Sequence, residues 1–324
     1  MRFTDSGNDI ISKKQIVNSA TINQCIHDAV EKVKGNVSKQ NKMEEPDYTA
    51  ALAVEFPQKI NDHHLFGMTV GGCYIHQSPY VNFMRDTQSC RCELGDLLIV
   101  VRRHKAEMQR FNAALLQLKK TDHLPNKLRD NGDLIQLYLY KSWPAFSINK
   151  ITGKFDIVPK SPHKGALYCV VKTNIDSDEQ FIVSTTSQEL PCSPEMTLND
   201  FIIGLISWTC GRAISMEMDK DKDEWSRLIW EVLQHTKNKT FTRKNSGYQK
   251  ARGAHRCNTE MNDFFQLMLN TPLYEGEYGS WSHQKFDNDG TAENTSSTKD
   301  AEDDGIGIST LFIDIDEEQF LMEE

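Results

Sequence analysis

The sequence has no apolar run long enough to cross a bilayer. Its longest, FIIGLISW at residues 201–208, falls far short of the roughly 20 residues a membrane helix needs. The opening stretch MRFTDSGNDIISKKQ is polar and lacks the apolar centre of a secretory signal. The expectation is a cytoplasmic protein with no membrane partner. There is no glycine-rich phosphate loop, no Gly-x-Ser-x-Gly and no His-Glu-x-x-His. Those absences leave a P-loop ATPase, an α/β-hydrolase and a zinc peptidase without support. Of the eight cysteines only Cys90 and Cys92 stand close together. That pair, preceded by His63, His64 and His76, matches no zinc-ligand spacing, so reduced thiols are expected. No segment repeats.

The chain also lacks an excess of positive charge: 37 Lys and Arg face 46 Asp and Glu, a net charge of -9. The imbalance is local. Residues 285–324 hold 13 acids and 2 bases, so the preceding 284 residues sit near +2. A near-neutral body keeps nucleic acid open as a partner.

A chain of 324 residues can build one large domain or two medium ones. Composition divides it into four regions. Residues 1–40 are a polar extension with one helical piece, INQCIHDAVEKV. Residues 41–190 mix helical and strand-like runs. Residues 191–284 read as helical (TLNDFIIGLISWTCGRAI, DEWSRLIWEVLQHT, TEMNDFFQLML) around a basic loop. Trp208, Trp225 and Trp230 fall at core positions of those helices. Residues 285–324 form an acidic, partly disordered tail that either solvates or folds over the basic loop as a phosphate mimic. Its closing STLFIDIDEEQFLM is too apolar for that role alone and reads as a strand added to a sheet edge or a docking peptide.

Within residues 41–190, Glu44-Glu45-Pro46-Asp47 opens a helix, with acids in the first turn and Pro near its start. That helix runs at least to Phe56, before Pro57. LFGMTVGGCYI and YVNFM are short strands, and LLIVV at 97–101 suits a strand buried on both faces. FNAALLQLKK is a second strand. NGDLIQLYLYKSWPAF is a helix stopped by Pro144, and GALYCVVKT and QFIVSTT are further strands.

The polar residues inside two of these runs carry the chemistry. Side chains alternate along a strand, so Gln117 and Lys119 share one face while Leu116 and Leu118 share the other. If the two runs pair as an antiparallel hairpin, Asp96 lies beside them. A carboxylate, an amide oxygen and an ammonium then meet at one sheet edge, where Gly95 permits close approach of a backbone or a phosphate. Hard divalent cations prefer such oxygen ligands. A bound metal polarises a phosphate and activates water, and a neighbouring ammonium stabilises the developing charge.

GDLLIVV followed by LLQLKK, behind a helix carrying Glu45 and Glu55, resembles the PD-(D/E)XK nuclease superfamily over roughly residues 40–175. Its pattern is an Asp on one core strand, (D/E)-x-K on the next and commonly a Glu on the preceding helix. Asp96 supplies the first, and Gln117-Leu118-Lys119 is the Gln-x-Lys variant of the Mrr-like branch. The resemblance implies an α/β, restriction endonuclease-like fold: a central mixed sheet flanked by helices, then a helical C-terminal region. It implies Mg²⁺ or Mn²⁺, with Asp96 as main ligand, Gln117 assisting, Lys119 positioning water and Glu45 (or Glu55, or Glu93) completing the site. It further implies DNA cleavage in bacterial defence against phage or foreign DNA, other defence-system proteins as partners, and a homodimer where both strands are cut.

An amide binds Mg²⁺ more weakly than a carboxylate, so Glu93 would have to compensate for Gln117. If residues 93–95 turn, Glu93 and Asp96 reach one metal; if a strand starts at Glu93, they face apart. The basic loop offers Lys237, Lys239, Arg243, Lys244, Lys250, Arg252 and Arg256 without an acid, interleaved with Phe241 and Tyr248, as a DNA-tracking surface. The competing readings are a non-catalytic DNA- or partner-binding subunit that keeps the nuclease fold, and a plain hairpin whose Asp caps a turn while Lys119 reaches solvent.

Overall fold

The computed structural model describes residues 18–36, 42–65, 67–75, 79–160, 164–174, 180–237, 254–256 and 307–320. Helix α1 (Ser19–Asn36) packs on one unbroken helix made of α2 (Glu45–Ala50), a π turn at Ala51–Glu55 and α3 (Phe56–Asp62). Strand β1 (Met68–Ile75) follows, then β2 (Tyr80–Arg85) and β3 (Gln88–Glu93), then the long hairpin of β4 (Leu97–Lys105) and β5 (Met108–Thr121). β6 (Asn126–Lys127), α4 (Asn131–Ser142) and β7 (Phe146–Ile148) separate the hairpin from β8 (Ala166–Lys172). β9 (Phe181–Ser184), β10 (Glu189–Leu190), β11 (Glu195–Thr197), α5 (Leu198–Ile206), β12 (Arg212–Ile214) and α6 (Glu224–Lys237) come next. β13 (Ala254–Arg256) and β14 (Ser309–Asp316) complete the described elements.

The architecture is α/β. A mixed central sheet runs β11-β9-β8-β5-β4-β14-β1-β13, with β12 paired to β5. β4 and β5 are antiparallel, and β5 reaches its parallel neighbour β8 through α4. A small sheet, β3-β2-β7, stands apart. Helices cover both faces, which is why LLIVV carries no polar alternation. Leu98, Val100, Ala113, Leu115 and Tyr168 face α4, α6 and the small sheet. Leu97, Ile99, Val101, Leu116 and Leu118 face the N-terminal helices and α5. Trp225 and Trp230 are fully buried, as expected, whereas Trp208 lies partly exposed beneath the guanidinium groups of Arg103 and Arg110. Among the described residues no helix is long and apolar enough to cross a membrane.

Three local expectations change. The C-terminal apolar stretch is not an edge strand: β14 lies between β1, antiparallel to it, and β4, parallel to it. Leu311, Phe312 and Ile313 are apolar in succession and buried on both faces, which only an interior position satisfies. The acids after them pair with the hairpin. Asp314 takes a two-pronged bond from Arg102, both contacts 2.7 Å, and Glu317 meets Arg103 and Arg110 at 2.8 Å.

The helix runs through Pro57 to Asp62, consistent with a run expected to reach at least Phe56. A π turn, in which Phe56 N–H reaches Ala51 O, carries the chain past the proline. Proline has no N–H for Ala53 O four residues back. That oxygen faces β1, where a Cβ on Gly72 would lie 1.8 Å away. α5 ends at Ile206 and does not continue to Ile214. Trp208 turns left-handed (φ 64°), Thr209 and Cys210 donate to Gly204 O, and Gly211 (φ 77°) redirects the chain into β12. Finally, Gln88–Glu93 is a strand that sequence reading passed over. Its C-x-C spacing is the alternation of a half-buried strand, Cys90 and Cys92 inward, Ser89 and Arg91 outward. The stretches 259–269 and 285–306 lie outside the described residues.

Candidate active site

The hairpin ladder begins at Asp96, whose N–H donates to Leu116 O at 2.9 Å. With Leu97 opposite Leu116, Asp96 stands beside Gln117. Glu93 ends β3 and the chain turns through Leu94 and Gly95, so Glu93 and Asp96 open onto one cleft. Gly95 admits a side chain and not a phosphate: Tyr140 Oη lies 2.8 Å from where a Cβ would stand and donates to Leu94 O at 2.8 Å.

Glu45 is the first residue of α2, behind a capping box of Glu44 and Asp47. Its Oε1 accepts the Lys120 N–H at 2.9 Å, which pins the helix start to the end of β5. Glu55 is three turns on, buried against Lys32 of α1 at 2.6 Å, and does not line the cleft. Glu45, Glu93, Asp96, Gln117 and Lys119 therefore line a single cleft of about 410 Å³.

Helix α4 contributes residues that sequence reading missed. Lys119 Nζ is 2.7 Å from Asp133 Oδ1. Asp96 Oδ2 accepts from Leu118 N–H at 2.7 Å and from Gln117 Nε2. Gln117 Oε1 in turn accepts from Gln136 Nε2, which also reaches Glu93 O at 3.2 Å. Asp133, Gln136 and Tyr140 recur at helical spacing on one face. Polar groups on the sheet-facing side of NGDLIQLYLYKS were the available signal.

The charges strain against each other. Burial first, then Glu93 and Glu45, hold the Asp96 carboxyl well above the usual carboxylate range, with the Leu118 N–H and Lys119 opposing. Burial also raises Glu93, and Glu45 adds to it, against Lys119 and a hydrogen bond from Tyr80. For Lys119 burial is the largest influence and pulls its pKa down, but Glu45, Asp133 and Asp96 together outweigh it and the ammonium is favoured.

Three carboxylates and an amide form a hard-oxygen donor set, suited to Mg²⁺ or Mn²⁺ and not to a soft metal. Among the described residues no three His, Cys, Asp or Glu converge in metal-holding geometry. Gln117 turns its nitrogen to Asp96 and its oxygen to Gln136, so its carboxamide would have to turn over to act as a ligand beside Asp96.

Gln117 and Gln136 are 3% and 5% exposed. Gln136→Leu would leave the Gln117 oxygen buried without its donor, at an expected cost of about 1–3 kcal/mol. A urea midpoint lowered at unchanged slope is the readout.

Of the basic loop, Lys239, Arg243, Lys244, Lys250 and Arg252 lie outside the described residues. Lys237 closes α6 and Arg256 closes β13, which pairs with β1 at one border of the sheet. No family model, curated protein or solved structure matches the chain.

Proposed function

We propose that the chain is a divalent-metal-dependent DNA endonuclease with a restriction endonuclease-like core. One observation carries this reading. Asp96, Gln117 and Lys119 from a single hairpin meet Glu45, from the helix that precedes the sheet, in one cleft. The parallel β5-α4-β8 unit beside it supports the same reading.

Asp96, with Glu93 or Glu45 drawn toward it, would hold Mg²⁺ or Mn²⁺, and a positive charge there would offset the burial and the carboxylate repulsion that raise both Asp96 and Glu93. When bound, such an ion polarises a phosphoryl oxygen and lowers the pKa of a water. Lys119 offers its ammonium to the phosphate or the attacking water. Asp133 holds that ammonium charged and aimed at the cleft. Gln136 fixes the Gln117 amide, and Leu118 N–H fixes one oxygen of Asp96. The resemblance to restriction-type nucleases would imply a cytoplasmic role in bacterial defence, with partner proteins and a homodimer for double-strand cutting.

The second reading is a DNA- or partner-binding subunit. It draws on the inward engagement of Asp96 and Lys119, which a scaffold would also keep. The test is cleavage of plasmid and linear DNA in Mg²⁺, Mn²⁺ or EDTA. Metal-dependent nicking is expected, reduced about 10²–10³-fold in Lys119→Ala, the usual loss of one charge-stabilising donor. A folded Lys119→Ala protein that cuts normally, or cutting in EDTA, counts against the enzyme. Inert protein that still binds DNA favours the subunit.

A further inference from the structure

The small sheet stands beside the cleft with one face to solvent. Its β3 runs antiparallel to β2, with Tyr80 opposite Glu93 and Asn82 opposite Arg91; β7 puts Ser147 opposite Asn82. Directly paired residues point to the same side. Arg91, Asn82 and Ser147 therefore form one row of donors across three strands. The next row, Tyr80 and Glu93, borders the site. Across three strands about 4.8 Å apart the row is roughly 10 Å wide. That matches about three steps of a nucleic-acid strand at 3.4 Å each.

Arg91 is the anchor. It is exposed, lines the cleft, and its guanidinium lies 4.2 Å above the Tyr80 ring. The Tyr80 hydroxyl is hydrogen-bonded to Glu93, so the platform under Arg91 is tied to a cleft carboxylate. Among the described residues Arg91 forms no ion pair, although many surface arginines and lysines here do. A guanidinium stacked on a ring keeps its N–H edges free in a fixed plane, the geometry that takes a phosphate through two parallel bonds. Asn82, bonded to Asn149 Oδ1 at 3.2 Å, and Ser147 extend the row with neutral donors suited to phosphate and sugar oxygens.

We infer that the solvent face of the β3-β2-β7 sheet binds the phosphodiester backbone of a polynucleotide next to the scissile position, with Arg91 on Tyr80 as its phosphate clamp. This rests on the nuclease reading for its ligand but not on cleavage. The sequence had pointed to the 237–256 loop for this task; here a strand that sequence reading missed supplies the contact.

The experiment is fluorescence anisotropy of a labelled DNA duplex with the full chain in EDTA, over roughly 50–200 mM salt. Arg91→Ala is expected to weaken binding about tenfold and to lower the salt slope by about 1, as for one lost phosphate contact. Arg91→Lys should keep the slope and lose part of the affinity, because an ammonium cannot bond in the same fork. Lys105→Ala, at the other end of β4, serves as the control and should change neither. Unaltered affinity and slope in Arg91→Ala, absence of DNA binding by the native chain, or equal displacement by inorganic phosphate alone would overturn the inference. Arg91-dependent binding without cleavage under any metal would uphold it while removing the nuclease reading.

Discussion

Asp96→Asn is expected to abolish DNA cleavage, by more than about 10³-fold, and at the same time to make the metal-free protein more stable. The sign follows from the raised carboxyl. A carboxyl whose folded pKa exceeds its unfolded value, near 3.9 for Asp, stabilises the fold fully below that unfolded value. The contribution is lost as pH rises through the folded pKa. Once ionised, Asp96 is then a cost to the fold. Asn keeps the oxygen that accepts from Leu118 N–H and removes the charge that Glu93 and Glu45 repel. A gain of about 1 kcal/mol is the usual size of such an exchange of function for stability. Thermal melts of both proteins at acid and neutral pH check it, and the difference should widen toward neutral pH. Saturating Mg²⁺ should raise the native protein by about 2.7 kcal/mol at a hundred times its Kd and leave Asp96→Asn nearly unmoved. A variant less stable than the native chain at neutral pH, or equal stabilisation of both by Mg²⁺, would remove Asp96 from the proposed metal site. Under the proposed function, cleavage by the native chain should likewise increase with pH as Asp96 and Glu93 ionise.

Gly72→Ala is expected to destabilise the fold by at least about 3 kcal/mol, near the upper end of overpacking costs. An added Cβ would meet Ala53 O at 1.8 Å, Ala53 C at 2.8 Å and Pro57 Cγ at 3.0 Å. Two of these are backbone atoms and the third belongs to a closed ring, so no side chain can swing aside. The strand or the π turn must move. Because the same helix delivers Glu45 to the cleft, activity should fall together with stability. Urea unfolding of Gly72→Ala beside Gly35→Ala, a helix glycine with open space around its Cβ, separates packing from the loss of glycine itself. Equal midpoints would mean that the helix and β1 can part without cost.

Much of the site was legible because it rests on local alternation. The apolar run of β4 and the parity of β5 separate Gln117 and Lys119 from Leu116 and Leu118 in the sequence as in the fold. The capping residues at Glu44–Asp47 mark where α2 begins, and Trp143 before Pro144 marks where α4 ends. These features depend on bonds and faces within a few residues of one another.

What only the tertiary structure decided depends on distant partners. The sequence shows two helix acids, but packing against α1 turns Glu55 to Lys32 and leaves Glu45 at the cleft. It leaves Glu93 undecided until β3 pairs with β2 and the chain turns at Gly95. It does not reveal Asp133 and Gln136, which matter because α4 lies over the ends of β4 and β5. Nor does it place β14 in the middle of the sheet. A strand of buried residues must cover both faces, yet which neighbours do so is chosen by the whole core, here across more than two hundred residues from Arg102 to Asp314.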